Sequence, residues 1–218
     1  MIILYVLKKI IKSVDRSAAV RAVACALVLM LTCSICGFDS KCGAIRENVL
    51  RLHILANSDS EEDQALKLRV RDALLTVSEA VFADCKDEQQ AAAAAAENIE
   101  LFTAVAQAQV YENGYSYPVR VELADTWFET RDYERFTLPA GNYEALRVII
   151  GEGEGHNWWC VMFPAVCLPV ASGEAEDFSE VLKDDEADIV QKPERYKARF
   201  KIVEVFEKTR TKLARWFN

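Results

Sequence analysis

Residues 151–167, GEGEGHNWWCVMFPAVC, gather much of the chain's reactive chemistry in a short space: His156, one of two histidines, stands four positions before Cys160, and Cys167 follows. A thiol beside an imidazole is the pattern of nucleophilic catalysis, in which the base takes the thiol proton. Position argues against it here. His156 falls in a glycine-rich connection, whereas Cys160 sits inside an all-apolar strand, where a thiolate is disfavoured. His53 is the other imidazole that could reach Cys160, and no third, orienting group stands at a recognisable spacing. In an oxidising compartment Cys160 and Cys167 are instead close enough to close a short disulfide ring around Pro164, leaving Cys85 over. The competing reading is an exported envelope thiol hydrolase or peptidase that uses Cys160 and a histidine.

Other chemistries have less support. The two histidines lie about a hundred positions apart with no second histidine on either element, so no metal site is expected, and no cofactor motif is present. Gly151, Gly153 and Gly155 imitate a phosphate loop, but they lead from strand to strand. No helix N-terminus is there to receive an anion, and Glu152 and Glu154 would repel one. The expectation is a flexible hairpin loop. Nucleic acid is set aside as a partner, because the portion after the basic leader carries a net charge of −12 with no uniform basic footprint and its one basic stretch is confined to a single helix.

These side chains are positioned by an α+β pattern. Asn48–Ala56 alternates as a strand, with Leu50, Leu52 and Ile54 on one face and Val49, Arg51, His53 and Leu55 on the other. The run Asn57-Ser58-Asp59-Ser60-Glu61-Glu62-Asp63 suits a helix start, with Ser58–Glu61 or Asp59–Glu62 as a capping box. Leu66, Val70, Leu74, Val77 and Val81 then recur at helical spacing. A second helix spans about Asp87–Tyr111 through six consecutive alanines, and Asn113-Gly114 ends it. Strands follow over Tyr117–Leu123, Trp127–Phe136, Tyr143–Ile150 and Trp158–Phe163. The last is apolar on both faces and reads as central, with Trp158 and Trp159 on opposite faces. The fold class is α+β: an antiparallel sheet of about four to five strands, read most simply as a meander, packed by two N-terminal helices, plus a C-terminal helix.

The ends differ from this body. Residues 1–42 carry six basic side chains against two acids, leaving −12 for the rest of a chain of net −8, and Ala22–Ile35 is an uncharged run of fourteen residues. A basic flank before a short apolar run describes an export signal, or an N-terminal anchor over residues 22–38 if it is not cleaved. Residues 43–170 form the exported domain. Residues 171–192 read as an exposed acidic linker, since 171–188 hold eight acids and one lysine. Residues 193–218 read as a basic amphipathic helix that could dock on the domain, on its acidic neighbour or on an anionic membrane.

Two blocks carry a resemblance. RLHILANSDSEEDQALKLRVRDAL, residues 51–74, and LPAGNYEALRVIIGEGEGHNWWCVMFPAVC, residues 138–167, resemble the stage II sporulation protein R family of endospore-forming bacteria, in the family's order and approximate spacing. Ala165 departs from it, standing where a second proline is expected. The resemblance implies a signalling protein rather than an enzyme, without a cofactor. Such a protein is secreted from the forespore into the space between forespore and mother cell. There it activates a membrane-embedded aspartic protease of the mother cell, which processes the pro-form of sigma factor E. The candidate partner-binding surface comprises His53, Asn57, Asp59, Asp63, Lys67 and Arg71 of the first block, with His156, Asn157, Trp158 and Trp159 of the second. The same residues could equally form a packing and capping signature.

Overall fold

A computed structural model describes residues 16–133, 135–166, 178 and 181–217. The chain divides into two units, Met1–Ser40 and Lys41–Asn218. In the first, helix α1 (Arg16–Glu47, continuing into the second unit) holds the apolar run. From Ser17 it is long and apolar enough to cross a membrane, with a mean hydropathy of 2.2 over a window of which nothing is buried.

In the second unit, β1 (Leu50–Leu55) leads into α2 (Glu61–Phe82), α3 (Glu88–Glu97) and α4 (Ile99–Glu112). Next come β2 (Val119–Phe128), a small ladder of β3 (Arg131–Tyr133) and β4 (Phe136–Leu138), and then β5 (Gly141–Ile150) and β6 (Asn157–Phe163). The described chain ends with α5 (Asp184–Gln191) and α6 (Lys197–Phe217). The α+β class holds. The alanine helix is broken at Asn98, whose side-chain amide and backbone N–H both donate to Ala94 O, closing α3 and restarting the chain as α4. The strand expected over Trp127–Phe136 is instead the end of β2 plus the separate β3–β4 ladder.

The sheet order is β2-β5-β1-β6, so the simple meander and the central place of β6 are both corrected. β1 pairs antiparallel with β6 but parallel with β5. The reason lies in the α2–α4 crossover, which carries the chain off one face after β1 and lets β5 return beside it in the same direction. β1 is therefore the central strand, and residues Leu50–Ile54 are all buried despite Arg51 and His53. β6 is an edge, with its residues from Cys160 to Phe163 still buried.

Two faces follow from the alternation. Leu50, Leu52, Ile54, Leu146, Val148, Ile150, Cys160 and Met162 meet Leu66, Val70 and Leu74 of α2, Ala91 and Ala95 of α3, and Phe102, Ala106 and Val110 of α4. Small alanines let α3 approach closely. The opposite face carries Arg51, His53, Tyr143 and Trp159, joined by Phe128 and by Tyr133 and Phe136 of the ladder. Within the stretch read as an exposed linker, α5 buries Ala187, Ile189 and Val190, while Asp184 and Asp185 stay exposed and the buried Glu186 accepts from Lys183 N–H at the start of the helix.

Candidate functional site

β5 and β6 run antiparallel with β1 between them, two strand spacings or roughly 10 Å apart. A tight hairpin cannot span that gap, so Gly151–His156 arches over the end of β1. The arch is not the flexible loop expected from its glycines, because every one of its six backbone amides donates a hydrogen bond. Gly151 N–H reaches Pro118 O, and Gly153 N–H reaches Ile150 O. Glu154 and Gly155 donate to the carbonyls of Asn57 and Ala56, at 3.3 and 3.0 Å. Glu152 N–H donates to Asn57 Oδ1 at 3.2 Å, and His156 N–H to Asp59 Oδ1 at 2.6 Å.

The glycines are there for proximity. Gly151 has φ +59°, and a Cβ on it would lie 2.2 Å from Asn57 Oδ1. At Gly155 the obstacle is backbone, the Ser58 carbonyl.

Beneath the arch the β1–α2 turn is fastened to itself. The helix cap is Ser60, one or two positions later than expected, and its Oγ accepts from Asp63 N–H. Ser58 and Asp59 are unavailable as caps because each has another role. Ser58 Oγ donates to Asp63 at 2.6 Å, as does Asn57 Nδ2 at 2.8 Å, while Asp59 holds the His156 backbone and its ring Nδ1. Lys67, buried, donates to His156 O at 2.8 Å and to Gln64.

The electrostatics follow these contacts. Burial works to raise the Asp63 carboxyl, but hydrogen bonds from Ser58, Asn57 and Tyr117 outweigh it and hold the group below the usual carboxylate range. Asp59 is held low by the His156 backbone N–H and then by its ring. Burial pushes Lys67 down.

Of the residues singled out from sequence, Asn57, Asp59, Asp63, Lys67 and His156 meet in this one network. Arg71 lies beside it, with its guanidinium 4.5 Å from the centre of the Trp158 ring, and Asn157 is exposed at the arch's foot. His53 and Trp159 do not join them. Strand alternation places both on the opposite face, edge-on to each other and to Phe128, and burial pushes His53 down. The same alternation turns Cys160 into the helix-side core, away from His53, while His156 stays exposed on the arch. Neither histidine is aligned on the thiol. Cys167, the expected disulfide partner of Cys160, lies outside the described residues.

Sequence reasoning missed Arg51. It stands in the alternation only as a polar member of one strand face, but the residue is 0% exposed and no carboxylate among the described residues pairs with it. Its guanidinium lies 4.0 Å from the Phe128 ring centre and 5.0 Å from that of Tyr143; Nε donates to Cys160 O and Nη2 to Tyr133 Oη. Asp72 pairs with its neighbour Arg71. Ser58, Ser60, Gln64 and Tyr117 were also missed as members of the network, since short polar residues in a turn look interchangeable until one is seen holding another.

The two blocks that meet at this arch also carry the comparison with known proteins. The family model described as stage II sporulation protein R matches residues 46–172. The chain belongs to the stage II sporulation protein R family. It is 36% identical over 132 residues to stage II sporulation protein R of Bacillus subtilis (strain 168), covering 60% of this chain and 59% of that relative. No solved structure matches. The stage II sporulation protein R match contains β1–α2 and the whole arch, whereas α5 and α6 lie beyond it.

Proposed function

We propose that this sporulation protein is a secreted signal that activates a membrane-embedded aspartic protease across the intermembrane space and so triggers processing of pro-sigma-E. Family membership supports the setting, and the apolar N-terminal helix fits an export signal or anchor. The observation that carries a binding role is the arch itself: six hydrogen-bonded amides hold the exposed side chains of Asp59, His156 and Asn157 rigid, with Arg71 on Trp158 alongside. A ligand shifts a protease toward its active arrangement only by binding that arrangement more tightly, and a pre-organised face loses little entropy in doing so. Asp63 and Lys67 act from beneath as supports. Exposed Glu61, Glu62, Glu152 and Glu154 around the arch call for a basic complementary surface on the protease.

The test is co-expression in a non-sporulating bacterium of the full chain, the membrane protease and its pro-sigma substrate, alongside a version lacking residues 1–42. Processing with the full chain and its loss without the leader are expected; no processing with the exported full chain overturns the reading.

A further inference from the structure

Helix α6 has two apolar faces, and the body of the protein uses one. Phe200 and Val203 are buried, together with the carboxylates of Glu204 and Glu207. Glu207 faces Arg46 at 3.7 Å and Arg210 at 3.2 Å, while Lys201 and Lys208 each hold Glu204 at 3.1 Å. On the other side Ile202, Val205, Phe206 and Leu213 are 45, 56, 50 and 48% exposed. At the helical repeat these four fall within an arc of about 100°, opposite the buried face, and form a continuous stripe with Thr209 between them. Arg199 and Arg210 lie along one edge of it, Lys201 and Lys212 along the other. From Lys197 to Arg215 there are seven basic residues and two acids, and both acids turn inward.

We propose that α6 is an interfacial helix whose Ile202–Leu213 stripe lies on an anionic lipid surface. An apolar stripe bordered on both sides by cations, with no acid on the outward face, matches a bilayer boundary, where acyl chains take the stripe and phosphates take the edges. A second copy fits poorly. Any two-fold pairing of this stripe brings positive edge against positive edge, whichever way the helices run. The region lies outside residues 46–172, so family membership assigns nothing to it. Its consequence is orientation, since α6 would hold the folded unit against a membrane in a defined pose.

Hydrogen exchange on the full chain in lipid nanodiscs, one copy per disc, tests this, because the apolar N-terminal segment brings the protein to every disc. In discs containing phosphatidylglycerol, amides over 199–213 are expected to exchange at least about tenfold more slowly than in phosphatidylcholine discs, with the difference lost at high salt. Phe206→Ser with Leu213→Ser abolishes the slowing, and Lys212→Glu weakens it by about tenfold or more. Unchanged exchange in the β1 and β5 peptides shows that these variants are folded. Equal exchange in both discs overturns the proposal, as does slowing that is just as large without anionic lipid. Slowing seen only with two copies per disc assigns the stripe to a dimer, and slowing seen only on adding the protease assigns it to a protein; either overturns it.

Discussion

Gly155 passes so close to Ser58 that a Cβ on it would lie 2.2 Å from the Ser58 carbonyl oxygen. The contact is with backbone of the β1–α2 turn, which cannot rotate away as a side chain could. It sets the height of the arch above the β1–α2 turn, and with it the place of His156 over Asp59.

Gly155→Ala is therefore expected to lift the arch, costing about 1–3 kcal/mol as overpacking does, and to break the hydrogen bond from Gly155 N–H to Ala56 O. Urea unfolding measures the first and amide exchange at 152–156 the second. Under the proposed function, pro-sigma processing should fall further than the stability loss explains, because the exposed side chains are displaced together. An alanine variant of wild-type stability and activity would show that the arch is not held by this contact.

Asp63 should govern the acid limb of stability. Its folded carboxyl is held below the unfolded value, so its contribution is present above the unfolded value and disappears as pH falls through the folded one. Asp63→Ala is expected to cost about 2 kcal/mol at pH 7, the scale of hydrogen bonds to a buried charge, and little at pH 2. Unfolding measured at both values checks it; an equal loss at both would mean that packing rather than ionisation matters.

The elements that periodicity names are the ones local physics decides. Alternation located β1, β5 and the first half of β2, and placed Trp158 and Trp159 on opposite faces. Helical spacing located α2. What was not legible depends on residues far apart in the chain. Nothing within GEGEGHN says that β1 runs beneath it, so glycines needed for close approach read as glycines needed for flexibility. Arg51 stood out only as a polar residue on one strand face because its aromatic surroundings, Phe128, Tyr133 and Tyr143, arrive about eighty to ninety positions later. The network at Asp63 was half visible: its members were chosen for polarity, but which of them would be buried supports and which would stay exposed required the fold.

Glu88 opposes the acid trend. It is buried at the start of α3 facing Glu144, and both line a cavity of about 420 Å³ with Glu47 and Arg46. Burial first, and then the charge of Glu144, push its carboxyl up to about 7. The folded state thus keeps a proton that the unfolded chain releases, and stability falls as pH rises from the unfolded value toward 7. Glu88→Gln should match wild type near pH 4 and exceed it at pH 8 by about 1–2 kcal/mol, less than the full shift because water screens exposed Glu144. Thermal unfolding across that range decides it, and a constant difference would dismiss the shared proton.

Arg51 makes the sharpest energetic contrast. A buried guanidinium with no carboxylate partner among the described residues is costly to desolvate, and what offsets the cost here is stacking on Phe128 and Tyr143 and two hydrogen bonds, one to Cys160 O on β6 and one to Tyr133 of the β3–β4 ladder. Lysine keeps the charge but has no flat surface to stack and one nitrogen in place of three, so Arg51→Lys should cost about 3–5 kcal/mol. Methionine discards the charge and approximates the volume, so Arg51→Met should cost less than about 2 kcal/mol or raise stability. Urea unfolding of the two variants checks the order. If methionine proves the worse replacement, the hydrogen bonds to Cys160 O and Tyr133 outweigh the burial of charge, and Arg51 holds the β6 edge by them rather than by its fit among the rings.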